Sequence, residues 1–481
     1  MEKIHIEGKT FRDSSGRERI FRGMNFIYTG KAKDYPRDYC FDWGEKELRE
    51  YSANGFNLIR LGVIWDAAEH EMNRFDDDYL RHVAAFIDRC SRHGIYVYIV
   101  LYQKHYASFI NGGAGAPLWA TKTGSHTYMR VKYEASQLQY FFNPAVGKAF
   151  DNFWQNKTVG GGRLQDKYAE MLNHILPFFE GKNNFLGIDF LNEPFLGSRS
   201  LAAFGLAVAQ GLKETFGDKN IKTSEVFRTY FKGKSPYEIF KYIDSPEKFR
   251  SVISSAKFLS VEFDRKYYDP FVERMIDATG SADKDYFVFK ENNFCSNIGM
   301  ACGLQKSDRK NIVFAPNGFD ITAGTTSKIT LGNKERIEII FDNHRRTQEK
   351  LGCPVIVGEW GKQANSVNVS LMKDELRIFD KNKWSAAFYQ YEKDIFTKPS
   401  GKALIRPYPA ATAGTLDYFS YDSENRVFEM QFSQKRDKLI ESVVYLPDEP
   451  AEIIADGEYK IEKNRLKIKT GVGVHRIKIR F

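Results

Sequence analysis

The first 400 residues alternate strand-like and helix-like segments, and this alternation constrains the fold more than any other feature of the 481-residue chain. It favours an α/β fold with parallel strands. Eight strand-like runs occur, and eight is the strand number of a (β/α)8, or TIM, barrel. The runs are RIFRGMNF (19–26), FNLIRLGVI (56–64), IYVYIVLYQ (95–103), FLGIDFLNE (185–193), YFVFKE (286–291), NIVFAP (311–316), PVIVGEW (354–360) and SAAFYQYE (385–392).

After IRPYPAATAGT (405–415) the pattern changes to short runs in which polar and apolar residues alternate, with turn signals between them. Such runs are typical of antiparallel strands. We therefore predict two domains. Residues 1–405 form the catalytic barrel, and residues 406–481 form a C-terminal antiparallel β-sandwich.

One interval between predicted barrel strands is unusually long. About ninety residues separate the fourth run from the fifth, far more than one connecting helix needs. We describe this as an insertion at about 196–284. An insertion on the carboxyl face of a barrel either covers the site as a lid or forms an extra packing subdomain.

Composition excludes several classes of protein. Hydrophobic residues make up 42% of the chain and charged residues 28%, as in ordinary globular proteins with a large core. No apolar stretch approaches the ~20 residues that span a bilayer, and the start MEKIHIEGKTF lacks the apolar segment of a signal peptide. The sequence as written predicts a cytoplasmic protein, or a secreted one if a leader was removed.

Cysteine spacing and charge give no sign of a metal, a cofactor or a nucleic acid. The five cysteines are scattered, without Cys-x-x-Cys pairs or zinc-ligand spacing. We expect reduced thiols, no metal and no cofactor. The net charge of +9 is spread along the chain, which is weak support for contact with an anionic membrane surface and weaker support for nucleic acid.

The fourth apolar run ends in Asn192-Glu193-Pro194, which supplies the first candidate catalytic residue. Pro194 cannot donate a ladder hydrogen bond, so the strand must end there. Glu193 then lies at the carboxyl end of a strand, where barrels place their chemistry. Taken alone, Glu193 is as compatible with a solvated loop residue as with a catalytic one.

Glu359 has the same setting at the end of the seventh run. Strands four and seven lie on opposite sides of an eight-stranded barrel, so their ends face each other across its mouth. Two carboxylates in that position meet the need of a glycosidase. One protonates the leaving oxygen, and the other acts as base or nucleophile at the anomeric carbon.

These motifs resemble clan A retaining glycoside hydrolases, family 5 in particular. NEP followed some 170 residues later by GEW is similar to that family's pair of strand ends, and GFNLIRLGVIW (55–65) resembles its second strand. GAPLWA (115–120), FWQNKTVGGGRLQDKYAEML (153–172) and IRPYPAATAGT resemble the endoglycoceramidase branch and its glycosylceramidase relatives. The resemblance covers nearly the whole chain. It implies Glu193 as the acid/base, Glu359 as the nucleophile and Arg60 as the nucleophile's support.

Three strand ends depart from the family pattern. The third strand usually ends in Asp-x-His, but VLYQKHYAS (100–108) has Gln103 at the His position and His105 two residues later. The sixth usually ends in His-x-Tyr, but APNGFD (315–320) has Asn317 and Phe319, and a Phe cannot hydrogen-bond the nucleophile. Tyr389 replaces the usual Trp of the eighth strand. The residues expected to line the sugar pocket are Arg60, Gln103, His105, Asn192, Asn317, Phe319 and Tyr389.

The resemblance implies a retaining β-glycosidase that hydrolyses the sugar–ceramide linkage of glycosphingolipids through a two-glutamate double displacement. The altered strand ends suggest a changed sugar preference, such as galactose instead of glucose, or weaker catalysis. Two alternatives remain open: a family 5 enzyme acting on soluble oligosaccharides, and a non-catalytic glycolipid-binding protein. The expected partner is a glycosphingolipid or glycosylceramide, and transient contact with a membrane surface or micelle is compatible with such a substrate.

Overall fold

The computed structural model describes residues 1–30, 37–128, 138–216, 243, 245–321, 332–361 and 369–481. Its centre is a sheet of eight parallel strands in the spatial order 6-5-4-3-2-1-8-7. A parallel bridge between Phe314 and Val355 joins strands six and seven and closes the barrel. The strands are Arg22–Phe26, Leu58–Val63, Tyr96–Leu101, Phe185–Asp189, Phe287–Lys290, Ile312–Phe314, Ile356–Val357 and Ser385–Phe388.

Helices pack around the barrel, as the alternating sequence predicts. Asp77–Arg92 shows why these segments are helical: the Asp76 side chain accepts the Tyr79 N–H as an N-cap, and acidic residues occupy the first turn. Its buried face carries Leu80, Val83 and Phe86. The helices are Glu45–Ala53, Trp65–Ala68, Asp77–Arg92, Leu138–Phe142, Pro144–Trp154, Leu164–Ile175, Arg199–Phe216, Pro246–Ser255, Lys257–Phe263, Asp269–Thr279, Lys334–Leu351, Val369–Asn382 and Pro399–Leu404. No helix in the described part of the chain is long and apolar enough to cross a membrane.

Two barrel strands end earlier than the sequence predicts. The fourth strand ends at Asp189, four residues before Glu193, because the Asp189 carboxylate accepts the Leu191 N–H at 3.2 Å and turns the chain. The seventh strand breaks after Val357. Beyond that break, Glu359 pairs with Asn317 of the sixth strand's extension, in a two-residue parallel ladder. Both candidate glutamates thus lie just beyond the barrel strands.

The C-terminal segment forms two antiparallel sheets with a shared apolar core, so the predicted fold class is confirmed. One sheet has four strands: Thr415–Asp422, Val427–Gln434, Glu452–Ala455 and Gly473–Arg480. The other has seven, of which four are C-terminal: Tyr408–Thr412, Ile440–Tyr445, Glu458–Glu462 and Arg465–Thr470. The buried residues between the sheets include Leu416, Phe428, Phe432, Val444, Leu466, Ile468 and Ile479.

The seven-stranded sheet also contains the N-terminus, which the sequence analysis assigns to the barrel domain alone. Its other three strands are Ile4–Glu7, Thr10–Asp13 and Glu18–Arg19. Arg19 pairs with Ala411 across the sheet. Ile4 and Phe11 also join the apolar cluster under the barrel, so the first 19 residues contact both units.

A buried ion pair cluster joins the barrel to the C-terminal domain. Asp380, on the helix Val369–Asn382, accepts from Arg22 at 3.0 Å and also from Arg406, which begins the Arg-Pro-Tyr-Pro motif. Arg22 further donates to the carbonyl of Trp384 at 2.6 Å. All three charged groups are at least nine-tenths buried. Tyr408 of the same motif donates to the carbonyl of Gly55 at 2.6 Å.

The insertion between strands four and five is largely helical where it is described. Arg199–Phe216 packs against Pro246–Ser255, and a π-helical turn at Asp264–Tyr268 leads into the helix before strand five. Residues 217–242 and 244 lie outside the described residues, so the predicted lid or subdomain at 196–284 is described only in part.

We expect Asp380→Ala to destabilise the protein by about 3–5 kcal/mol, because it leaves two buried guanidinium groups without their anion. Urea unfolding followed by fluorescence measures the loss. Asp42→Ala is the control, since Asp42 pairs with Lys393 on the surface and its loss should leave the unfolding midpoint almost unchanged. Equal effects of the two substitutions would contradict the assignment of Asp380 as the joint between the units.

Candidate active site

Arg60 lies at the centre of the barrel mouth and is completely buried. Nη1 donates to Asn25 Oδ1 and to Glu359 Oε1, both at 2.7 Å. Nη2 donates to Asn192 Oδ1 at 2.7 Å and to the Glu291 carboxylate. Burial alone lowers the pKa of Arg60, but Glu291 and Glu359 raise it well above its ordinary value. The guanidinium group is therefore a permanent buried cation.

Glu359 lies next to Arg60, just beyond the end of the seventh strand. Its side chain is only about 5% exposed, and its contact with Arg60 favours the ionised carboxylate. The strand-one residue Asn25 orients the same guanidinium and also donates to the carbonyl of Gly358 at 2.8 Å. Arg60 of strand two and Asn25 of strand one thus fix the position of this carboxylate.

Glu193 is partly exposed and has a different set of neighbours. Its backbone is left-handed, with φ of 45°. Its Oε1 accepts from the neutral amide of Asn297 at 2.8 Å, and its own N–H donates to Glu291 Oε2 at 2.7 Å. The Glu193 carboxyl thus accepts from a neutral donor, Asn297, whereas Glu359 accepts from the Arg60 cation.

A third carboxyl, Glu291, lies between these two and is completely buried at the end of strand five. Its Oε2 also accepts from Asn317 Nδ2 at 3.0 Å. Burial, followed by the neighbouring Asp189, raises the pKa of Glu291 well above its ordinary value. Burial likewise raises the pKa of Asp189 to about 6. The barrel mouth thus contains more carboxyl groups than Arg60 can neutralise.

Asn192 and Gln103 hold each other in place beside Glu193. Asn192 Nδ2 donates to the carbonyl of Gln103 at 3.1 Å, and Gln103 Nε2 donates to the carbonyl of Asn192 at 3.0 Å. Gln103 Oε1 accepts the Tyr106 N–H at 2.9 Å. Both ends of the Gln103 amide are therefore engaged by the protein, and its predicted contact with sugar stays a prediction.

The other altered positions surround the same cleft. His105 is buried, and its N–H donates to the hydroxyl of Tyr140 at 3.0 Å. Asn317 Oδ1 is buried without a hydrogen-bond partner in the described residues. Phe319 is half-buried, and its N–H donates to the carbonyl of Asn297 at 2.9 Å. The structure therefore brings these positions to one end of the barrel.

Tyr389 lies close to both candidate catalytic carboxyls. Burial, and then Glu359, raises its pKa, and Glu193 acts in the same direction. Its hydroxyl is 3.4 Å from that of Tyr102. Tyr140 has a similar position, since burial, then Glu193 and also Glu359 raise its pKa. These tyrosines mark the space between the two glutamates.

An aromatic wall leads from this space towards the insertion. Tyr140 lies 4.5 Å from Phe294 and 5.0 Å from Phe195, measured between ring centroids. Phe141 continues the contact to Phe204, at 5.0 Å, on the insertion helix Arg199–Phe216. We call Tyr140, Phe141, Phe142, Phe195, Phe204 and Phe294 the aromatic wall. Leu201 and Leu206 on the same insertion helix are exposed.

The sequence analysis does not identify Glu291, Asp189, Asn297, Asn25 or Tyr140. A signal for Glu291 exists, because the run YFVFKE ends in this glutamate just as the fourth and seventh runs end in theirs. Asn297 lies in the short 3-10 helix Phe294–Ile298 after strand five, and no pattern in the sequence relates it to Glu193. The three-carboxyl arrangement is therefore a finding of the structure.

Two family models match the chain. The cellulase model, of glycosyl hydrolase family 5, matches residues 22–221, and the family 5 C-terminal domain model matches residues 406–479. Together they span more than half of the chain. The chain belongs to glycoside hydrolase family 5. It is therefore a glycoside hydrolase, and the second model covers its C-terminal antiparallel unit.

An endoglycoceramidase and a glucosylceramidase are among its relatives. Endoglycoceramidase I of Rhodococcus hoagii is 22% identical over 90% of this chain and 77% of its own length. A glucosylceramidase of Rhizopus delemar is 20% identical over 66% of this chain and 59% of its own length. Endo-glycoceramidase II from Rhodococcus sp. has a similar fold, with a TM-score of 0.72 at 20% identity over 98% of this chain and 99% of that chain. Structures of that protein include a lactosyl-enzyme intermediate and a complex with ganglioside GM3.

We expect Arg60→Met to cost about 3–5 kcal/mol of stability at pH 8 and clearly less at pH 5. Without the cation, the folded-state pKa of the buried carboxyls rises further above the unfolded value. Stability from such groups is present at low pH and is lost as the pH rises. The measurement is the free energy of unfolding in urea at both pH values. Arg377→Met, which removes a half-exposed arginine paired with Asp374, is the control, and an equal loss for Arg60→Met at both pH values would contradict this account.

Proposed function

We propose that this family 5 hydrolase is a retaining β-glycosidase that cleaves the bond between sugar and ceramide in glycosphingolipids. The observation that carries the proposal is the pairing of a polar two-glutamate site with the aromatic wall. A substrate with a sugar at one end and two alkyl chains at the other needs both features side by side. The endoglycoceramidases and the glucosylceramidase among the relatives support the same substrate class.

Glu359 is assigned as the nucleophile because, of the two candidate glutamates, Glu359 is the one bound to the Arg60 cation. It attacks the anomeric carbon and forms a covalent glycosyl-enzyme, while the bond from that carbon to the ceramide oxygen breaks. An ionised carboxylate is required for this attack. The Arg60 guanidinium keeps Glu359 ionised, and its several other contacts prevent the side chain from moving away.

Glu193 is assigned as the acid/base. In the first step it donates its proton to the ceramide oxygen, and ceramide leaves as the alcohol. In the second step the ionised Glu193 takes a proton from water, whose oxygen attacks the anomeric carbon and releases Glu359. The two inversions leave the sugar with its original β configuration. A group that changes protonation state twice in each cycle is served better by the neutral Asn297 donor than by a cation.

The aromatic wall is assigned to the lipid. Phe141 and Phe204 are partly buried and pack against each other, so an alkyl chain laid along them loses apolar surface to water without displacing polar groups. The exposed Leu201 and Leu206 extend this surface on the insertion helix. They also suit transient contact with a micelle or a membrane surface, to which the net charge of +9 adds an attraction for anionic lipids.

Sugar preference is assigned to the altered strand ends. Buried polar groups discriminate between epimers when a hydroxyl leaves one of them unpaired. Asn317 Nδ2 donates to Glu291 at 3.0 Å, and Asn317 Oδ1 is fully buried without a hydrogen-bond partner in the described residues. We propose that Asn317, with Gln103, His105, Phe319 and Tyr389 around it, sets the preference between glucose and galactose.

We also propose that the chain, as written, acts in the cytoplasm.

The roles of the two glutamates predict distinct kinetic results. Glu359→Gln should abolish turnover, and a 2-fluoro glycoside should label Glu359 of the wild type, as shown by mass spectrometry of peptides. Glu193→Gln should still accept substrates whose leaving group needs no proton. Label at another residue, or a product of inverted configuration, would exclude this assignment, since inversion requires a wider gap between the carboxyls.

The proposed substrate class predicts faster hydrolysis of glucosyl- or galactosylceramide in detergent micelles than of cello-oligosaccharides. Chromatography of the released sugar and ceramide measures both the rate and the head-group preference. Phe204→Asp should lower kcat/KM for the ceramide substrate about tenfold, because it removes roughly 1.5 kcal/mol of apolar contact. Its effect on aryl glycosides, which do not reach the wall, should stay below twofold.

Leu439→Asp is the matched control for the Phe204 variant. Leu439 is an apolar residue on the C-terminal domain with 72% of its surface exposed, so its substitution should affect neither substrate. Preference for cello-oligosaccharides would favour the soluble-glycan alternative instead. Equal losses on ceramide and aryl substrates in Phe204→Asp would mean that the wall has only a structural role.

A further inference from the structure

One buried carboxyl, Glu291, contacts both halves of the proposed catalytic pair. Its Oε1 accepts from Arg60, the residue that holds Glu359. Its Oε2 accepts the backbone N–H of Glu193 at 2.7 Å. A single side chain therefore links the support of the nucleophile to the main chain of the acid/base.

The hydrogen bond from the Glu193 N–H to Glu291 lies at a residue with an unusual backbone conformation. Glu193 has φ of 45°, a left-handed conformation that is uncommon for a residue with a side chain. Such a conformation persists only when surrounding contacts determine it. The Glu291 Oε2 contact fixes the Glu193 N–H, and Gln103 Nε2 approaches the Glu193 carbonyl at 3.3 Å. These two contacts hold the main chain of Glu193, while Asn297 donates to its carboxyl at 2.8 Å.

Glu291 is crowded by groups from every neighbouring strand. Arg60 on strand two and Asn317 after strand six donate to it. Tyr98 on strand three lies near Arg60 and Asp189, and Asp189 on strand four lies against Glu291 itself. Glu291 is therefore held by hydrogen bonds from several strands at once, with a second carboxyl, Asp189, beside it.

We propose that Glu291 is a positioning residue that sets the acid/base Glu193 relative to the nucleophile Glu359. It does not touch the substrate, and it acts through the backbone of Glu193 and the guanidinium of Arg60. The proposal rests on the proposed function, because it assigns no chemistry of its own to Glu291. It predicts that loss of the Glu291 carboxylate impairs proton transfer to the leaving group in particular.

Glu291→Gln tests this directly. Three donor groups face the two oxygens of Glu291, so an amide must turn its NH2 towards at least one of them. Because Arg60 is charged, it keeps its hydrogen bond to the single oxygen of the new amide. The NH2 group of that amide then clashes with the Glu193 N–H or with Asn317. We expect Glu193 to shift, and proton donation by a positioned acid contributes typically 10²–10⁴-fold.

The measurement compares two aryl β-glycosides of the sugar that the wild type prefers. For a phenyl glycoside, whose leaving group needs a proton, kcat/KM should fall about 100-fold or more. For a 2,4-dinitrophenyl glycoside, which leaves without a proton, kcat/KM should fall at most about threefold. Equal losses on both glycosides, or no loss on either, would overturn the proposal.

Two further variants complete the test. Glu291→Asp keeps the charge but withdraws it by one methylene from Glu193, and it should give the same difference between the two glycosides if Glu291→Gln does not fold. Glu375→Gln is the matched control: Glu375 is also fully buried, neither of its oxygens has a hydrogen-bond partner in the described residues, and it lies on the helix Val369–Asn382. It should change both substrates less than twofold. A wild type that hydrolyses neither glycoside with retention would instead contradict the proposed function.

Discussion

The buried guanidinium of Arg60 is the interaction on which the catalytic end of the barrel depends. It binds groups from the ends of strands one, four, five and seven, and each of these groups would be costly to bury without it. The same contacts that neutralise the carboxyls also fix their positions. Stability and catalytic geometry therefore have a common origin here, and a substitution at this arginine affects both.

The departures from the family pattern have a consistent physical consequence. Phe319 cannot donate to Glu359 as a tyrosine would, and Arg60 Nη1 donates to that carboxylate instead. Asn317, in place of the usual histidine, donates to Glu291. Both altered positions therefore change the hydrogen bonds that hold the carboxyl groups at the end of the barrel.

Much of the fold could be predicted from the sequence, because each buried parallel strand is an apolar run of characteristic length. The two glutamates were found for the same reason, since each follows such a run. The exact ends of the strands were not predictable: Asp189 turns the chain through its own side chain, and an aspartate within an apolar run carries no sign of that. Asn297 and Asp189 become neighbours of the site only through contacts between distant segments, which a single sequence does not encode in any local pattern.

The pairing of Arg19 with Ala411 has a consequence for how the protein is made. The first strands leave the ribosome early, but their sheet partners are about 390 residues further along the chain. At 5–20 residues per second, translation of that interval takes roughly 20–80 s. During this time the N-terminal hairpin has an unpaired edge. The barrel can form beneath it before the C-terminal strands of the seven-stranded sheet have been synthesised. Completion of that sheet is therefore a late event, because it requires strands that are synthesised long after the barrel strands.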